Sequence, residues 1–331
     1  MPTPLRILLS DQARACLEER IAKALGPRPF RLVSIDAMGT QPSGDVDIAF
    51  ISRDVTGRST KHVLSPSLQA CYDALRSAPS LQWVHIHSAG ADRPVFAELR
   101  ERGVAVTTSS GTNAQVVAQT AIAGLLALAR RFPQLMAAQR SHTWAPLIGT
   151  ELPRDLDGQT AVVVGWGPIG QYVGRLLDVL GLRTIVVRNS ARPVQGVHRV
   201  VGFDALNEVL PLADWLILAC PLTLITRELI GRGALDLLPS GAHLVNVARG
   251  EVVNEPDLIE ALRNGRLAGA FLDVFAHEPL SADSPLWDLP HVIVTPHAAG
   301  HSDGHFRRVA QVFADNLARW AANETLANRV A

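Results

Sequence analysis

The chain has 331 residues, in which 31 Lys and Arg balance 31 Asp and Glu, so its formal net charge is zero. With 47% hydrophobic and 19% charged residues, the composition is that of an ordinary soluble globular protein with about two domains. A neutral chain argues against nucleic acid as the main partner, because binding a phosphate backbone needs an excess of Lys and Arg.

Three further features predict a cytoplasmic protein with no membrane contact. The apolar run near the start is too short for the core of a signal peptide. No run reaches the ~18 apolar residues of a membrane helix. The three cysteines, Cys16, Cys71 and Cys220, are far apart and form no C-x-x-C pair, so we expect neither a disulfide nor a structural zinc site.

The first hundred residues alternate short apolar runs with amphipathic segments. We predict helices at 11–25 and 67–78, and strands at 6–10, 31–35, 47–52, 81–88 and 104–109. Strands that alternate with helices form a parallel sheet that is covered on both faces. The sequence therefore predicts a small α/β domain in this part of the chain.

A second α/β unit is predicted from about residue 111 onward. One long helix is expected at 113–131, and because it is apolar on most faces it should be buried against something large. Runs rich in Val, Ile and Leu follow, as expected of strands buried on both faces, at 160–165, 183–188, 215–220, 243–248, 268–274 and 291–296. An amphipathic helix at 303–323 comes last.

A glycine-rich turn joins the strand that ends near residue 165 to the helix after it. Gly165, Gly167 and Gly170 form the pattern G-x-G-x-x-G. These glycines allow a tight turn, close approach of a pyrophosphate and close packing of helix on strand. The unpaired N–H groups at the start of the helix favour phosphate, so the motif predicts a dinucleotide site.

The end of the next strand indicates which dinucleotide is bound. NAD sites carry an acidic residue about 20 positions beyond the glycines, where it binds the ribose 2′-hydroxyl. Here Arg188 stands eighteen positions beyond Gly170, and Asn189, Ser190 and Arg192 follow it. Because arginine can pair with a 2′-phosphate, we expect NADP(H) to be preferred over NAD(H); the alternative is a solvated basic loop.

Three reactive side chains follow predicted strands in the last third of the chain: Arg249, Glu278 and His297. Ligands bind at the carboxyl ends of strands in an open α/β sheet. There, a guanidinium would hold a carboxylate and polarise a ketone, an imidazole would protonate the alkoxide, and a carboxylate would orient the imidazole. Together they suit reversible hydride transfer to a 2-keto acid, although each one singly could be a surface charge or part of a turn.

Taken in order, the motifs resemble the D-isomer-specific 2-hydroxyacid dehydrogenases over nearly the whole chain. The segments that carry the resemblance are 88–92, 113–131, 164–170, 219–223, 246–250, 273–279 and 295–297. The resemblance implies that Arg249, Glu278 and His297 are the catalytic set, with His297 as the acid/base. It also implies that backbone N–H groups around Ala89 and Gly90 bind the substrate carboxylate.

The resemblance implies further cofactor contacts and an architecture. The residues expected to line the cofactor site are Pro168, Ile169, Cys220, Pro221, Thr226, Val247 and Asp273, the last near the nicotinamide carboxamide. A Rossmann-type doubly wound parallel sheet domain, at 106–299, would be inserted in a smaller flavodoxin-like α/β substrate or lid domain formed by 1–105 and 300–331. Such proteins are typically homodimers, and the helix at 113–131 would lie at the dimer face.

The function implied is the reduction of a small anionic 2-keto acid, glyoxylate or hydroxypyruvate, with NADPH. Two alternatives are an NAD(P)-sensing binding module, like the corepressors of the family, and a nucleoside site for adenosyl-group chemistry, which leaves the catalytic set unexplained. No metal is expected, because the pair His297 and His301 has no carboxylate at ligand spacing. The sequence assigns no firm role to Gln119, Trp144 or His301.

Overall fold

The computed structural model describes residues 3–36, 45–60, 62–149 and 152–330. The chain divides into two compact units, which we call unit 1 (1–113 with 302–331) and unit 2 (114–301). It therefore passes between them after residue 113 and after residue 301, whereas the sequence placed these crossings after residues 105 and 299. The roles of the units as lid domain and dinucleotide domain stay predictions.

Strands and helices are numbered in chain order. The strands are β1 (Leu5–Leu9), β2 (Phe30–Ser34), β3 (Ile48–Ile51), β4 (Trp83–Ile86), β5 (Ala105–Thr108), β6 (Thr160–Val164), β7 (Arg183–Val187), β8 (Arg199–Val201), β9 (Trp215–Leu218), β10 (His243–Asn246), β11 (Gly269–Leu272) and β12 (Val292–Val294). The helices are α1 (Asp11–Leu25), α2 (Arg53–Thr56), α3 (Pro66–Ser77), α4 (Pro94–Glu101), α5 (Ala114–Ala129), α6 (Phe132–Arg140), α7 (Pro168–Val179), α8 (Leu206–Val209), α9 (Arg232–Leu237), α10 (Glu255–Arg263) and α11 (His305–Ala321).

Unit 1 is built on a five-stranded parallel sheet in the order β2-β1-β3-β4-β5, which is the flavodoxin-like order of a doubly wound sheet. The final helix, α11, returns to this unit and packs beside α1. Its apolar stripe, including Val309 and Phe313, is buried against Ile7, Phe50 and Trp83 of the strands. The amphipathic pattern predicted at 303–323 thus has its partner in the first part of the chain.

Unit 2 is built on a seven-stranded parallel sheet in the order β12-β11-β10-β9-β6-β7-β8. The first strand of unit 2, β6, lies in the middle of this sheet. The chain continues to one side through β7 and β8 and then crosses to the other side at β9, so the order of the strands reverses between β6 and β9. In such a sheet the crevice at the carboxyl ends beside the switch point is where ligands bind. Two parallel doubly wound sheets confirm the predicted fold class.

The helix predicted over 113–131 is confirmed as α5, which spans Ala114–Ala129, and a separate helix follows it. α5 ends at Ala129, Arg131 adopts a left-handed backbone with φ of 56°, and α6 begins at Phe132. Pro133 explains the break, because proline has no N–H to donate and its ring clashes with the preceding turn of a helix. The two helices are therefore separate elements.

The apolar face of α5 is covered inside unit 2, and a place for this helix at a dimer face stays a prediction. α5 packs against α7 and against strands β10 and β11, and Val117, Ala121 and Leu125 are buried there. In α6, which follows, large apolar side chains are exposed, with Phe132 at 51% and Met136 at 46% exposure. Within the described ranges, no helix combines the length and the apolar character that a membrane crossing requires.

Candidate active site

The glycine-rich turn after β6 is shaped by close backbone packing. Gly165 has a φ of 98°, and a Cβ there would lie 2.6 Å from the Cα of Cys220. A Cβ at Gly170 would lie 2.1 Å from the carbonyl oxygen of Gly165. At Gly167, in contrast, a Cβ would meet no atom within 4 Å. Open space therefore lies over the start of α7, where the helix N-terminus favours a phosphate, and the turn fits a bound dinucleotide.

The basic loop after β7 is organised by Arg188. Its Nε donates to the carbonyl oxygen of Ser190 at 2.8 Å and its Nη2 donates to that of Arg192 at 3.1 Å. The side chains of Asn189, Ser190 and Arg192 are exposed. The N–H of Gly165 donates to the carbonyl of Val187, so the loop with its two arginines begins beside the glycine turn.

The loop after β9 lies on the other side of the switch point. The Thr226 hydroxyl donates to the carbonyl oxygen of Pro221 at 2.7 Å and accepts the N–H of Thr223 at 2.8 Å. Burial raises the pKa of the Cys220 thiol to about 11, so this thiol stays neutral. Val247 is buried directly after β10. These predicted cofactor residues thus line the carboxyl ends of the central strands, and their contact with a cofactor stays a prediction.

The turn that carries Arg249 is closed by Asn246, a residue that the sequence analysis did not single out. Asn246 is only 1% exposed. Its Nδ2 donates to the carbonyl oxygen of Arg249 at 3.1 Å, and its Oδ1 accepts the N–H of Ala248 at 3.0 Å. The guanidinium of Arg249 donates to the carbonyl of Ala248. In the sequence, the signal for this role of Asn246 was a polar residue at the end of a buried strand.

The Arg249 turn packs directly on the segment that leads to Glu278. A Cβ at Gly250 would lie 1.8 Å from the carbonyl carbon of Phe275, so no other residue fits at this position without a backbone shift. The segment is held by two carboxylates. Oε1 of Glu278 accepts the N–H of Phe275 at 3.2 Å, and Oε2 of Glu255 accepts the N–H of Ala276 at 3.0 Å.

His297 and Glu278 form a direct pair. Nδ1 of His297 lies 2.8 Å from Oε2 of Glu278, and the two side chains are 50% and 16% exposed respectively. Burial would raise the pKa of Glu278, but the hydrogen bonds from His297 and Phe275 and the charge of Arg249 lower it below its usual value. The structure thus brings the predicted residues Arg249, Glu278 and His297 together at the carboxyl ends of β10, β11 and β12.

Asp273 holds the loop that carries His297. Its carboxylate is 2% exposed and accepts hydrogen bonds from the Thr295 hydroxyl at 2.6 Å and from the N–H groups of Ala298 and Ala299 at 2.8 and 3.1 Å. Burial raises the pKa of Asp273 despite these bonds. The sequence placed this carboxylate near the nicotinamide. In the structure both oxygens bond within the protein, and contact with a cofactor stays a prediction.

The predicted substrate loop belongs to unit 1 and is described by itself. Ala89 and Gly90 lie in the loop that follows β4, and the Ser88 hydroxyl donates to the carbonyl oxygen of Gly90 at 2.8 Å. The backbone N–H of His87 donates to the carbonyl of Ile51 at 3.0 Å. The loop therefore starts at the carboxyl end of the central strands of that sheet, which is where a doubly wound sheet binds ligands.

The three residues left without a role lie at the surface of the described chain. Gln119 and His301 are exposed, and Trp144 is 94% exposed. The backbone N–H of His301 donates to the carbonyl of Ala298. Across the described ranges, no three His, Cys, Asp or Glu side chains are grouped so that they could hold a metal ion.

The chain is similar to known proteins of one family. Residues 122–299 match the family model described as "D-isomer specific 2-hydroxyacid dehydrogenase, NAD binding domain". A glyoxylate reductase of Thermococcus gammatolerans is 35% identical over 263 residues, which cover 76% of this chain and 78% of that protein.

Two solved structures extend the likeness to nearly the whole chain. A D-isomer specific 2-hydroxyacid dehydrogenase family protein of Aeromonas salmonicida superposes with a TM-score of 0.81 at 29% identity, covering 99% of each chain. The NADPH-dependent glyoxylate/hydroxypyruvate reductase of Sinorhizobium meliloti, solved with NADP and sulfate, has a TM-score of 0.76 at 26% identity and covers 99% and 98%.

Fold and site together define a dinucleotide-dependent oxidoreductase with an Arg, Glu and His set at the edge of a Rossmann sheet. The chain belongs to the D-isomer specific 2-hydroxyacid dehydrogenase family and is an NAD(P)-dependent 2-hydroxyacid dehydrogenase.

Proposed function

We propose that the protein reduces small 2-keto acids, with glyoxylate and hydroxypyruvate as its substrates and NADPH as its preferred cofactor. The observation that carries this proposal is the 2.8 Å pair of His297 and Glu278 beside Arg249. The names of the similar proteins from Thermococcus gammatolerans and Sinorhizobium meliloti support the substrate. NAD(H) is the less favoured cofactor.

Each side chain of the set has one task in this reaction. Arg249 pairs with the substrate carboxylate and polarises the ketone. Because Nδ1 of His297 is bonded to Glu278, Nε2 is the nitrogen that donates a proton to the alkoxide oxygen. Glu278 stays ionised and holds the imidazole in one tautomer. When bound, the reduced nicotinamide supplies a hydride to the keto carbon.

The glycine turn and the basic loop would hold the cofactor. The N–H groups of Gly167 and of the first turn of α7 would face the pyrophosphate, whereas Gly165 shapes the turn, since its own N–H is bonded to Val187. The charges of Arg188 and Arg192 would pair with the 2′-phosphate, since no carboxylate follows β7 within residues 188–192.

In the Arg188→Asp variant we expect the cofactor preference to move from NADPH toward NADH. An unchanged ratio of the two kcat/KM values would contradict the assignment.

We propose further that the protein is a homodimer. Support comes from the apolar side chains that α6 and the segment after it leave exposed, namely Phe132, Met136, Trp144 and Ile148. A run of exposed large apolar residues is typical of a surface that a partner covers. Size-exclusion chromatography with light scattering should give twice the mass of one chain. The mass of a single chain would contradict the proposal.

A spectrophotometric screen tests substrate and cofactor together. NADPH and NADH are each followed against glyoxylate, hydroxypyruvate, pyruvate and phenylpyruvate. We expect the highest kcat/KM for glyoxylate or hydroxypyruvate with NADPH. Faster turnover of phenylpyruvate would contradict the small substrate, and no oxidation with any acid would favour the alternative of an NAD(P)-sensing binding module.

A further inference from the structure

One side chain of unit 1 bonds to both places where the chain leaves that unit. The crossings follow residues 113 and 301. Nε of Arg308, in α11, donates to the carbonyl oxygen of Thr112 at 2.5 Å, and its Nη2 donates to the Ser302 hydroxyl at 2.9 Å. Thr112 comes just before the first crossing and Ser302 just after the second. Arg308 therefore ties together two segments that are far apart in sequence.

The chain is also anchored on the unit 2 side of both crossings. The Thr120 hydroxyl of α5 donates to the carbonyl oxygen of Ala299 at 3.2 Å. Asp273 accepts the N–H groups of Ala298 and Ala299. Hydrogen bonds thus hold both segments on the unit 2 side, as those of Arg308 do on the unit 1 side.

The same end of α11 reaches toward the predicted substrate loop of unit 1. His305, one turn before Arg308, is buried, and its Nε2 lies 3.4 Å from the Thr112 hydroxyl. Its ring meets the ring of His87 edge-on, with centroids 6.5 Å apart. His87 directly precedes the loop at 88–90. The first turns of α11 thus contact both the crossings and the residue that leads into this loop.

We propose that Arg308 is a positioning residue, which holds the segments at 112 and 302 together and, through His305 and His87, keeps the loop at 88–90 in the shape that binds the substrate carboxylate. Both of these hydrogen bonds are made to the protein itself, so we assign the guanidinium no contact with substrate or cofactor. The inference rests on the proposed function, because it takes the loop at 88–90 as the carboxylate-binding part. The proposed cofactor and catalytic residues all lie in unit 2, so loss of Arg308 should affect the keto acid and not the cofactor.

Steady-state kinetics test this separation. For the Arg308→Ala variant we expect KM for glyoxylate to rise about tenfold, the range of a lost charged hydrogen bond, while the Kd of NADPH from fluorescence titration stays as in wild type. Arg308→Lys should recover part of the loss, and Ser302→Ala, which removes one of the two bonds, should have a smaller effect. Arg307→Ala is the matched control, since Arg307 is the exposed neighbour in the same helix.

Hydrogen exchange gives a second readout that does not depend on the substrate. In Arg308→Ala we expect faster exchange in peptides around 110–116 and 299–305, and unchanged exchange in β3 and β4. Unchanged KM and exchange would overturn the proposal. So would a lower Tm with exchange accelerated evenly through unit 1 and an unchanged KM, because Arg308 would then serve stability alone. If the wild type reduces none of the keto acids, the proposed function fails, and the exchange pattern still decides whether Arg308 holds the crossings.

Discussion

In the candidate site, each oxygen of two carboxylates has its own hydrogen-bond partners within the protein. Glu278 uses one oxygen for His297 and the other for the N–H of Phe275, so its carboxylate cannot rotate without losing a bond. Asp273 spends both oxygens on the loop that follows β12. These two carboxylates fix the imidazole and the backbone of His297, which has a left-handed φ of 51°.

The His297→Ala variant should separate chemistry from binding. A positioned general acid contributes about 10²–10⁴ in rate, so we expect kcat for glyoxylate reduction to fall by about 10³, and the Kd of NADPH to stay the same. Glu278→Gln keeps the shape of the side chain but removes its charge, and should cost less. A His297→Ala enzyme that retains most of its kcat would refute the assignment of the acid.

At the scale of elements, parallel register explains why the three reactive residues meet. Asn246 pairs with Leu272, and Leu272 pairs with Val294, so the three strands end level with one another. The loops that follow then have to share one edge of the sheet. The existence of the strands, apart from the short edge strand β8, was predictable from the apolar runs, whereas their order in the sheet was not predicted. The contact of the loops was not predictable either, because it depends on the absence of a Cβ at Gly250.

Gly250→Ala tests that contact between loops. The added Cβ would lie 1.8 Å from the carbonyl carbon of Phe275, and backbone atoms cannot move aside as a side chain can. Overpacking of this kind costs about 1–3 kcal/mol, so we expect a lower midpoint of urea unfolding together with a lower kcat. As a control, Gly233→Ala adds a Cβ in α9 with no atom within 4 Å. Equal unfolding midpoints and equal kcat values in the two variants would contradict the contact, because the loops would then be able to separate freely.

At the scale of the whole molecule, each unit holds a histidine that burial keeps neutral. His85 of unit 1 is fully buried. Its Nδ1 lies 2.7 Å from the Thr107 hydroxyl oxygen and its Nε2 lies 3.0 Å from that of Ser109. Burial lowers the pKa of His85 to about 3. His243 of unit 2 stacks on Trp215 with ring centroids 4.4 Å apart, and burial lowers its pKa to about 4. Neither side chain can take up a proton near neutral pH without leaving its site.

These lowered pKa values predict a loss of stability in mild acid. Below the pKa of an unfolded histidine, about 6.5, the unfolded chain binds protons that the folded chain does not, so unfolding is favoured as pH falls. Each such group contributes about 1.4 kcal/mol per pH unit until its folded pKa is reached. Urea unfolding at pH 7, 6 and 5 measures the slope. His85→Gln should reduce the slope of the unfolding free energy against pH. An unchanged slope would show that His85 does not contribute.

Local information was enough for much of this protein. Runs of Val, Ile and Leu, a glycine turn between a strand and a helix, and the order of Arg249, Glu278 and His297 are properties of neighbouring residues, so both sheets and the proposed catalytic set could be read from the chain. Pro133 was also a readable local signal for the helix break. The cytoplasmic location, which rests on composition and cysteine content, stays a prediction.

Contacts between distant segments could only come from the folded chain. The partners of Asp273, the two bonds of Arg308 and the burial of α5 join residues that are far apart in sequence, and no periodicity or spacing records which of them will meet. Such pairs depend on how strands align and how loops pack to within an ångström. Residue chemistry and local pattern therefore indicate what this protein can do, whereas three-dimensional packing decides which side chains hold the reacting ones in place.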